Sequence, residues 1–303
     1  MNQDIANHLA ELWNNIGIAA LFALPLAVVG WSLHRRRDRF RAETQEPFTA
    51  MPMRPRGESL RVKIDALGDE FDSNLFVAAM VSICATAIVV MSPPERRLIV
   101  ASVLMVAVAG AIFRAGRRMW KLQGDLWAYR LGFMGERAVG EELNQLLALG
   151  FHVFHDLPFD GFNIDHVLVG SSGVYAVETK AWRKPANIRG LEKARIYSDG
   201  ISLRHPNYIN TEAIPQARRN GVALAKMLTK ATGSNVEVFP ILTFPGWAVI
   251  REKACDVNVL RPDEIKRSFP SRPKHPLSAE KIQKIAHHLT ELCRLTKEPK
   301  VAA

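Results

Sequence analysis

Three residues in one short stretch have the types and spacing for phosphodiester chemistry: Asp165, Glu178 and Lys180. Asp165 stands in Asn163-Ile164-Asp165-His166-Val167-Leu168-Val169-Gly170, and the other two end Val174-Tyr175-Ala176-Val177-Glu178-Thr179-Lys180. Both runs read as strands, and Ser171-Ser172-Gly173 between them reads as a tight hairpin turn. If Ser171 and Ser172 form a two-residue loop, Gly170 pairs with Gly173 and Asp165 falls opposite Glu178. If Ser172 and Gly173 form it, Asp165 falls opposite Lys180. A side-chain period of two puts Glu178 and Lys180 on one face in either register, and directly opposed Cβ atoms lie about 5 Å apart. Two carboxylates that close repel each other, and a divalent cation between them removes the conflict. Hard oxygen ligands around a small site suit Mg²⁺ or Mn²⁺. Such an ion lowers the pKa of its water and polarises a phosphoryl oxygen, while an adjacent lysine holds the water or stabilises charge on the phosphate. The plainer reading is a surface salt bridge between Lys180 and one of the acids. Against it stand Ile164, Val167, Leu168, Val169, Val174, Ala176 and Val177, which make the strands largely buried. Charges inside such strands need a reason.

The elements that must position this trio follow from periodicity. Residues 135–149 form a helix with Val139, Leu143, Leu146 and Leu147 on one face and Gly150 as its stop. Strands follow at 151–157, 164–170 and 174–180, then a hairpin turning at Asp199-Gly200 between Ile196 and Leu203. A helix at 215–229 has Pro215 in its first turn and Gly233 beyond its end. A buried strand at 236–244, a short one at 257–260, and helices at 262–269 and 278–295 complete the order. This predicts an α/β domain, a mixed sheet flanked by helices.

The N-terminal part is of another kind. Residues 12–33 carry no formal charge and are long enough to cross a hydrocarbon core, which takes about 20 residues. A signal peptide wants a basic region before its apolar stretch. Here Asp4 and Glu11 come before, while Arg35, Arg36, Arg37, Arg39 and Arg41 come after. Residues 74–94 and 98–113 are further uncharged runs, broken by Ser92-Pro93-Pro94-Glu95 and followed by Arg114, Arg117, Arg118 and Lys121. By the positive-inside rule this predicts three transmembrane helices, the N-terminus outside and everything after about residue 114 inside. A buried hairpin in a soluble protein is the alternative. No functional polar residue sits in mid-span, which argues against a channel or transporter. The layout is a transmembrane helix at 1–34, a proline-containing basic linker with one short helix at 35–73, a transmembrane hairpin at 74–113, the α/β domain at 125–270, and a helix with a basic tail at 271–303. The formal net charge of +10 suits an anionic partner, nucleic acid or acidic lipid. The three cysteines, Cys84, Cys255 and Cys293, form no metal-binding spacing and fit a reducing compartment.

With these residues in view, the chain resembles the NERD family, the nuclease-related domain, itself similar to the PD-(D/E)xK nuclease superfamily. The matching residues are Gly135-Glu136, Asn163 to Gly170, Ser172-Gly173-Val174, Val177-Glu178-Thr179-Lys180 with Trp182, Pro215-Gln216-Ala217, and Phe239-Pro240 to Phe244-Pro245. They span roughly residues 130 to 265. The resemblance implies a restriction-endonuclease-like fold with Asp165 and Glu178 as metal ligands and Lys180 as the catalytic lysine. It implies that Glu136, opening the first helix, is a further acid at the metal, and that Gln216 faces the site to position water or phosphate. Ile164 stands where the superfamily has proline, as is normal in the NERD pattern. The implied activity is Mg²⁺- or Mn²⁺-dependent hydrolysis of DNA or RNA at the inner face of a bacterial cytoplasmic membrane.

Each residue also has a plainer role. Glu136 could simply complement the dipole at a helix N-terminus, and Gln216 could be an exposed helix residue. His166 points away from Asp165 and reads as packed, and His152 and His155 as structural. Trp182 could stack on a base or fill a core or rim. Arg218, Arg219, Lys226 and Lys230 could meet phosphates or form a solvated face. Two other functions compete with nucleic-acid hydrolysis: a non-catalytic membrane-bound binding module of the same fold, and an enzyme acting on a small phosphorylated ligand.

Overall fold

The structure is a computed structural model and describes residue 35 and residues 53–186, 194–269 and 276–294. The crossing expected at 12–33, and the basic cluster after it except Arg35, lie outside the described residues. The chain forms two compact units, one including residues 69–122 and the other residues 51–68 together with 123–303.

The first unit holds the apolar parts of two long helices, α1 (Glu58–Met91) and α2 (Arg97–Asn144), whose residues 58–68 and 123–144 belong to the second. Each contains a window apolar enough to cross a membrane, with mean hydropathy 2.3, and at most 6% of either window is buried. Phe76, Val90, Leu98 and Val106 are among the apolar side chains left exposed. Contiguous exposed apolar surface marks an interaction site, with a partner protein or a membrane. Glu70 and Arg118 pair across the two helices at the polar end of the hairpin.

Both helices outrun their sequence-based bounds. The segment expected as a linker up to residue 73 is helical from Glu58 onward. Its polar turns are held by Arg61, which meets Glu58 at 2.6 Å and Asp65 at 3.0 Å, the helical neighbour spacings. At the other end, α2 is unbroken for 48 residues, so Glu136 lies deep within it and opens no helix. Residues 114–134 contain no proline to stop it. Hydropathy marks where a helix becomes apolar, not where it starts or stops. A 3₁₀ turn, Gln145–Leu149, and Gly150 at φ 81° end the helix as expected.

In the second unit a five-stranded sheet has the order β1 (His152–Pro158), β2 (Asn163–Gly170), β3 (Gly173–Thr179), β7 (Val238–Thr243), β9 (Asn258–Leu260). The first three strands form an antiparallel meander; β7 and β9 run parallel to β3. Side chains alternate between two cores. Phe154, Val167 and Val169 pack with Leu224 and Leu228 of α3 (Ala213–Thr232) and with Ile285 and Leu289 of α5 (Ala279–Leu292). Leu168, Val177 and Ile241 pack on Val139 and Leu143 of α2 and on Ile265 of α4 (Pro262–Ser268).

The expected single sheet is in fact two. β4 (Arg195–Ser198), β5 (Leu203–His205), β6 (Tyr208–Asn210) and β8 (Ala248–Arg251) form a four-stranded sheet of order β6-β5-β4-β8. The anticipated turn at Asp199-Gly200 is present, with Ser198 opposite Leu203. Its apolar residues Ile196 and Leu203 have a core of their own with Ile214, Phe244 and Trp247, so they need no place on the first sheet.

Residues 53–59 are strapped onto this unit. Met53 bridges to Arg294, and the Arg54 amide donates to the Cys293 carbonyl at 2.7 Å. The anchor is Asp156, buried in β1 with φ 50°. Its carboxylate accepts from Arg54 Nε at 2.8 Å, from a second Arg54 nitrogen, from the Ser59 amide at 3.0 Å, from Ser59 Oγ at 2.6 Å, and from Asn163 Nδ2 at 3.1 Å. Removing the carboxylate would leave a part-buried guanidinium unpaired. Asp156→Ala is expected to cost about 3–5 kcal/mol in urea unfolding of the full chain, and a loss below about 1 kcal/mol, the surface-pair range, would show that the strap is not held this way.

Candidate active site

The β2–β3 turn decides the register. Gly170 pairs with Gly173, so Ser171 and Ser172 are the loop and the ladder runs back to His166 opposite Val177. This is the register that carries Asp165 toward Glu178. Beyond the last paired residues, Asp165 Oδ2 accepts from the Thr179 amide at 2.7 Å, which ties the acid to the end of β3.

Glu178 is 4% exposed and fully engaged. Its Oε1 accepts from Lys180 Nζ at 2.8 Å and from Gln216 Nε2 at 2.8 Å, and Gln216 Oε1 accepts from the same Lys180 Nζ at 2.8 Å. The three side chains form a closed ring of hydrogen bonds. Gln216 is therefore no solvated helix residue. The other carboxylate oxygen accepts from Asn220 Nδ2 at 2.7 Å. Asn220 was missed in the sequence, although it lies one helical turn after Gln216 and must share its face.

Glu136 comes in from α2. Gly135 makes this approach fit, because a methyl there would stand 2.5 Å from Ala181 Cβ. Gly57, at φ 70°, lets the strap pass the same place; a Cβ there would meet the Phe133 ring at 2.7 Å and Glu136 Oε2 at 3.5 Å. Glu136 is 7% exposed, and its Oε2 is buried without a hydrogen-bond partner. Burial, then the charges of Asp156 and Glu178, push its pKa up to about 8, with Lys180 and Lys63 pulling the other way. Asp165 is likewise raised, first by burial and then by Glu178 and Glu136. The dipole reading of Glu136 fails, since the effect is confined to the first and last turns of a helix. The hydroxyls of Thr179 and Thr243, paired across β3 and β7, are also buried without partners.

All five side chains expected at the site therefore belong to one constellation: Asp165, Glu178, Lys180 and Gln216 within the β3–α3 corner, and Glu136 electrostatically joined to it. As ligands for a divalent cation, the residues fit in kind. They offer three hard carboxylates, one of them with an unsatisfied buried oxygen. Among the described residues no three acidic, histidine or cysteine side chains are already drawn up as a cage. His166 lies on the other side, as expected, with its Nδ1 2.9 Å from that of His155, whose Nε2 meets Asn144 Oδ1 at 2.9 Å. Burial keeps both neutral, lowering His155 to about 4 and His166 well below its usual range. Two of the four candidate phosphate contacts on α3 are otherwise employed: Arg218 pairs with Asp256 at 2.5 Å and Arg219 pairs with Glu212.

Residues 131–245 match the family model described as nuclease-related domain, NERD. Over that stretch the chain is similar to the NERD family. The match holds all five site residues and Asn220, and leaves out the strap and α5. No curated protein and no solved structure matches the chain.

The electrostatics of the site have a sign that can be checked. With its pKa raised from 4.5 to about 8, Glu136 stays protonated in the folded protein while the unfolded chain releases its proton. It therefore takes stability away as pH rises through that window. Glu136→Gln is expected to raise the urea stability of metal-free full chain at pH 8 by on the order of 2–4 kcal/mol and to change nothing below pH 4.5. An equal or lower midpoint for the variant at pH 8 would show that the carboxyl is not under strain.

Proposed function

We propose that the NERD domain hydrolyses nucleic-acid phosphodiester bonds with a bound Mg²⁺ or Mn²⁺. The reading rests on one observation above the others: a buried carboxylate oxygen of Glu136 without a partner, on a carboxyl whose pKa is raised by burial and by the charges of Asp156 and Glu178. Asp165, Glu178 and Glu136 would hold the cation. When bound, it supplies a more acidic water and a polarised phosphoryl oxygen.

The chain's own residues do the rest. Lys180 Nζ, fixed between Glu178 and Gln216, is placed to donate to the attacking water or to a phosphate oxygen as negative charge builds there. Gln216 holds Lys180 through its oxygen and Glu178 through its nitrogen, so it fixes the two relative to each other. Asn220 keeps Glu178 in the same orientation. In the reaction, water oxygen bonds to phosphorus, one P–O ester bond breaks, the water gives up a proton, and the leaving oxygen takes one.

The location belongs to the same proposal. The apolar stretches of α1 and α2 span a bacterial cytoplasmic membrane together with the segment 12–33. Arg114, Arg117, Arg118 and Lys121 stay on the cytoplasmic side with the NERD domain, and the N-terminus lies outside.

A non-catalytic binding module is the second reading, favoured by the full engagement of both Glu178 oxygens. The two separate in a cleavage assay with the full chain in detergent, on plasmid, single-stranded DNA and RNA, with Mg²⁺ or Mn²⁺ and an EDTA control. Cleavage that needs the metal and falls at least about 100-fold in Lys180→Ala is the expected result. A folded protein that cuts none of the three, or a variant that cuts equally well, would shift the function to binding.

A further inference from the structure

The segment that leaves the acidic site is built as a ledge. After Thr179 the chain runs Lys180-Ala181-Trp182-Arg183-Lys184, outside any regular element but pinned along its length. The Lys180 amide donates to the Thr243 carbonyl at 2.9 Å. Ala181 lies under Gly135 of α2. The Trp182 carbonyl accepts from Trp247 Nε1 at 3.1 Å, and the Arg183 carbonyl meets His205 Nε2 at 3.0 Å. The backbone next to the proposed catalytic lysine is thus clamped between α2 and the second sheet.

Its side chains divide by chemistry. Trp182 turns inward, 4.7 Å from the Phe244 ring and 5.5 Å from Tyr208. It is a rim residue rather than a free platform. Arg183 and Lys184 are exposed, and among the described residues neither has an acidic partner. Each instead lies over an indole: Arg183 is 5.8 Å from the centre of Trp127, and Lys184 is 5.9 Å from that of Trp247. Two aromatic rings nearby are partly exposed. Trp127, on α2 two turns before Gly135, is 54% exposed, and Tyr208 is 45% exposed with His205 stacked on it at 4.3 Å.

A surface of open rings with unneutralised guanidinium and ammonium groups matches one ligand well. Unpaired nucleobases stack on such rings, and their phosphates meet the cations. A duplex keeps its base faces covered and can offer only phosphates. We propose that the ledge of Arg183 and Lys184, with Trp127 and Tyr208, binds a single-stranded stretch of nucleic acid and leads it to the acidic site. This deepens the hydrolase reading above and rests on it for the direction of the strand. Trp127 follows a basic, Trp120-containing stretch of α2, so an aromatic belt at a lipid surface is the competing use of that ring.

The test measures binding without cleavage, with the full chain in detergent and EDTA. Probes are a fluorescein-labelled oligothymidylate, a labelled duplex of equal length, and anionic phosphatidylglycerol vesicles. The single strand is expected to bind more tightly than the duplex. Trp127→Ala should weaken single-strand binding about 5- to 100-fold, with Trp127→Phe restoring most of it and duplex binding unchanged. Arg183→Gln should reduce the logarithmic salt slope by about 0.7. Equal affinity for the two forms, or single-strand affinity unmoved by Trp127→Ala, overturns the proposal. So does a Trp127→Ala protein that loses only vesicle association. If the enzyme cuts but these variants bind normally, the ledge is wrong and the hydrolase stands. If the variants bind poorly and nothing is cut, the ledge stands as the surface of a binding module.

Discussion

Crowding of Glu136 and Asp165 around Glu178 is the constraint around which the second unit is organised. Burial first, then the charges of Asp156 and Glu178, makes Glu136 hold its proton to about pH 8, and burial with the charges of Glu178 and Glu136 raises Asp165. A fold dedicated only to stability would place apolar groups here, since buried charge costs more than it returns. The surroundings act in the opposite sense. Lys180, Gln216 and Asn220 fix Glu178, and the Thr179 amide fixes Asp165, so the acids cannot swing apart to relieve the strain.

The elements that impose this come from distant parts of the chain. The β2–β3 hairpin supplies Asp165 and Glu178, α3 supplies the amides that hold Glu178, and α2 supplies Glu136. The strap at 53–59 passes Glu136 at Gly57, where a side chain would not fit, and is locked by Asp156. An unbroken α2 carries both an apolar, membrane-length stretch and Glu136. Any change in the last turns of that helix therefore acts directly on the third acid.

The hairpin was legible in the sequence because local chemistry determines it. A two-residue turn sets the register, the register sets the face, and Asp165, Glu178 and Lys180 follow. The ends of α1 and α2 were not legible, because polar helical turns such as Glu58 to Asp65 look like linker to a hydropathy reading. Glu136 was reached only through family resemblance, since its position depends on packing between α2 and Ala181, 45 residues away in sequence. Asp156 gave no local signal at all; its partners Arg54 and Ser59 lie 102 and 97 residues away. Asn220 could have been found from the helical spacing to Gln216, once Gln216 was placed at the site. The split into two sheets escaped notice because short strands such as β6 and β8 carry too few residues to show which core they serve.

The central claim is that these acids share one divalent cation. Titrating Mn²⁺ into metal-free full chain, followed by electron paramagnetic resonance and by proton release, tests it without reference to any substrate. One ion per chain should bind, with a proton released near pH 7. Asp165→Asn and Glu178→Gln should abolish binding, Glu136→Gln should weaken it and suppress the proton release, and Lys180→Ala should retain it. Absence of binding, or binding indifferent to Asp165→Asn, would contradict the account.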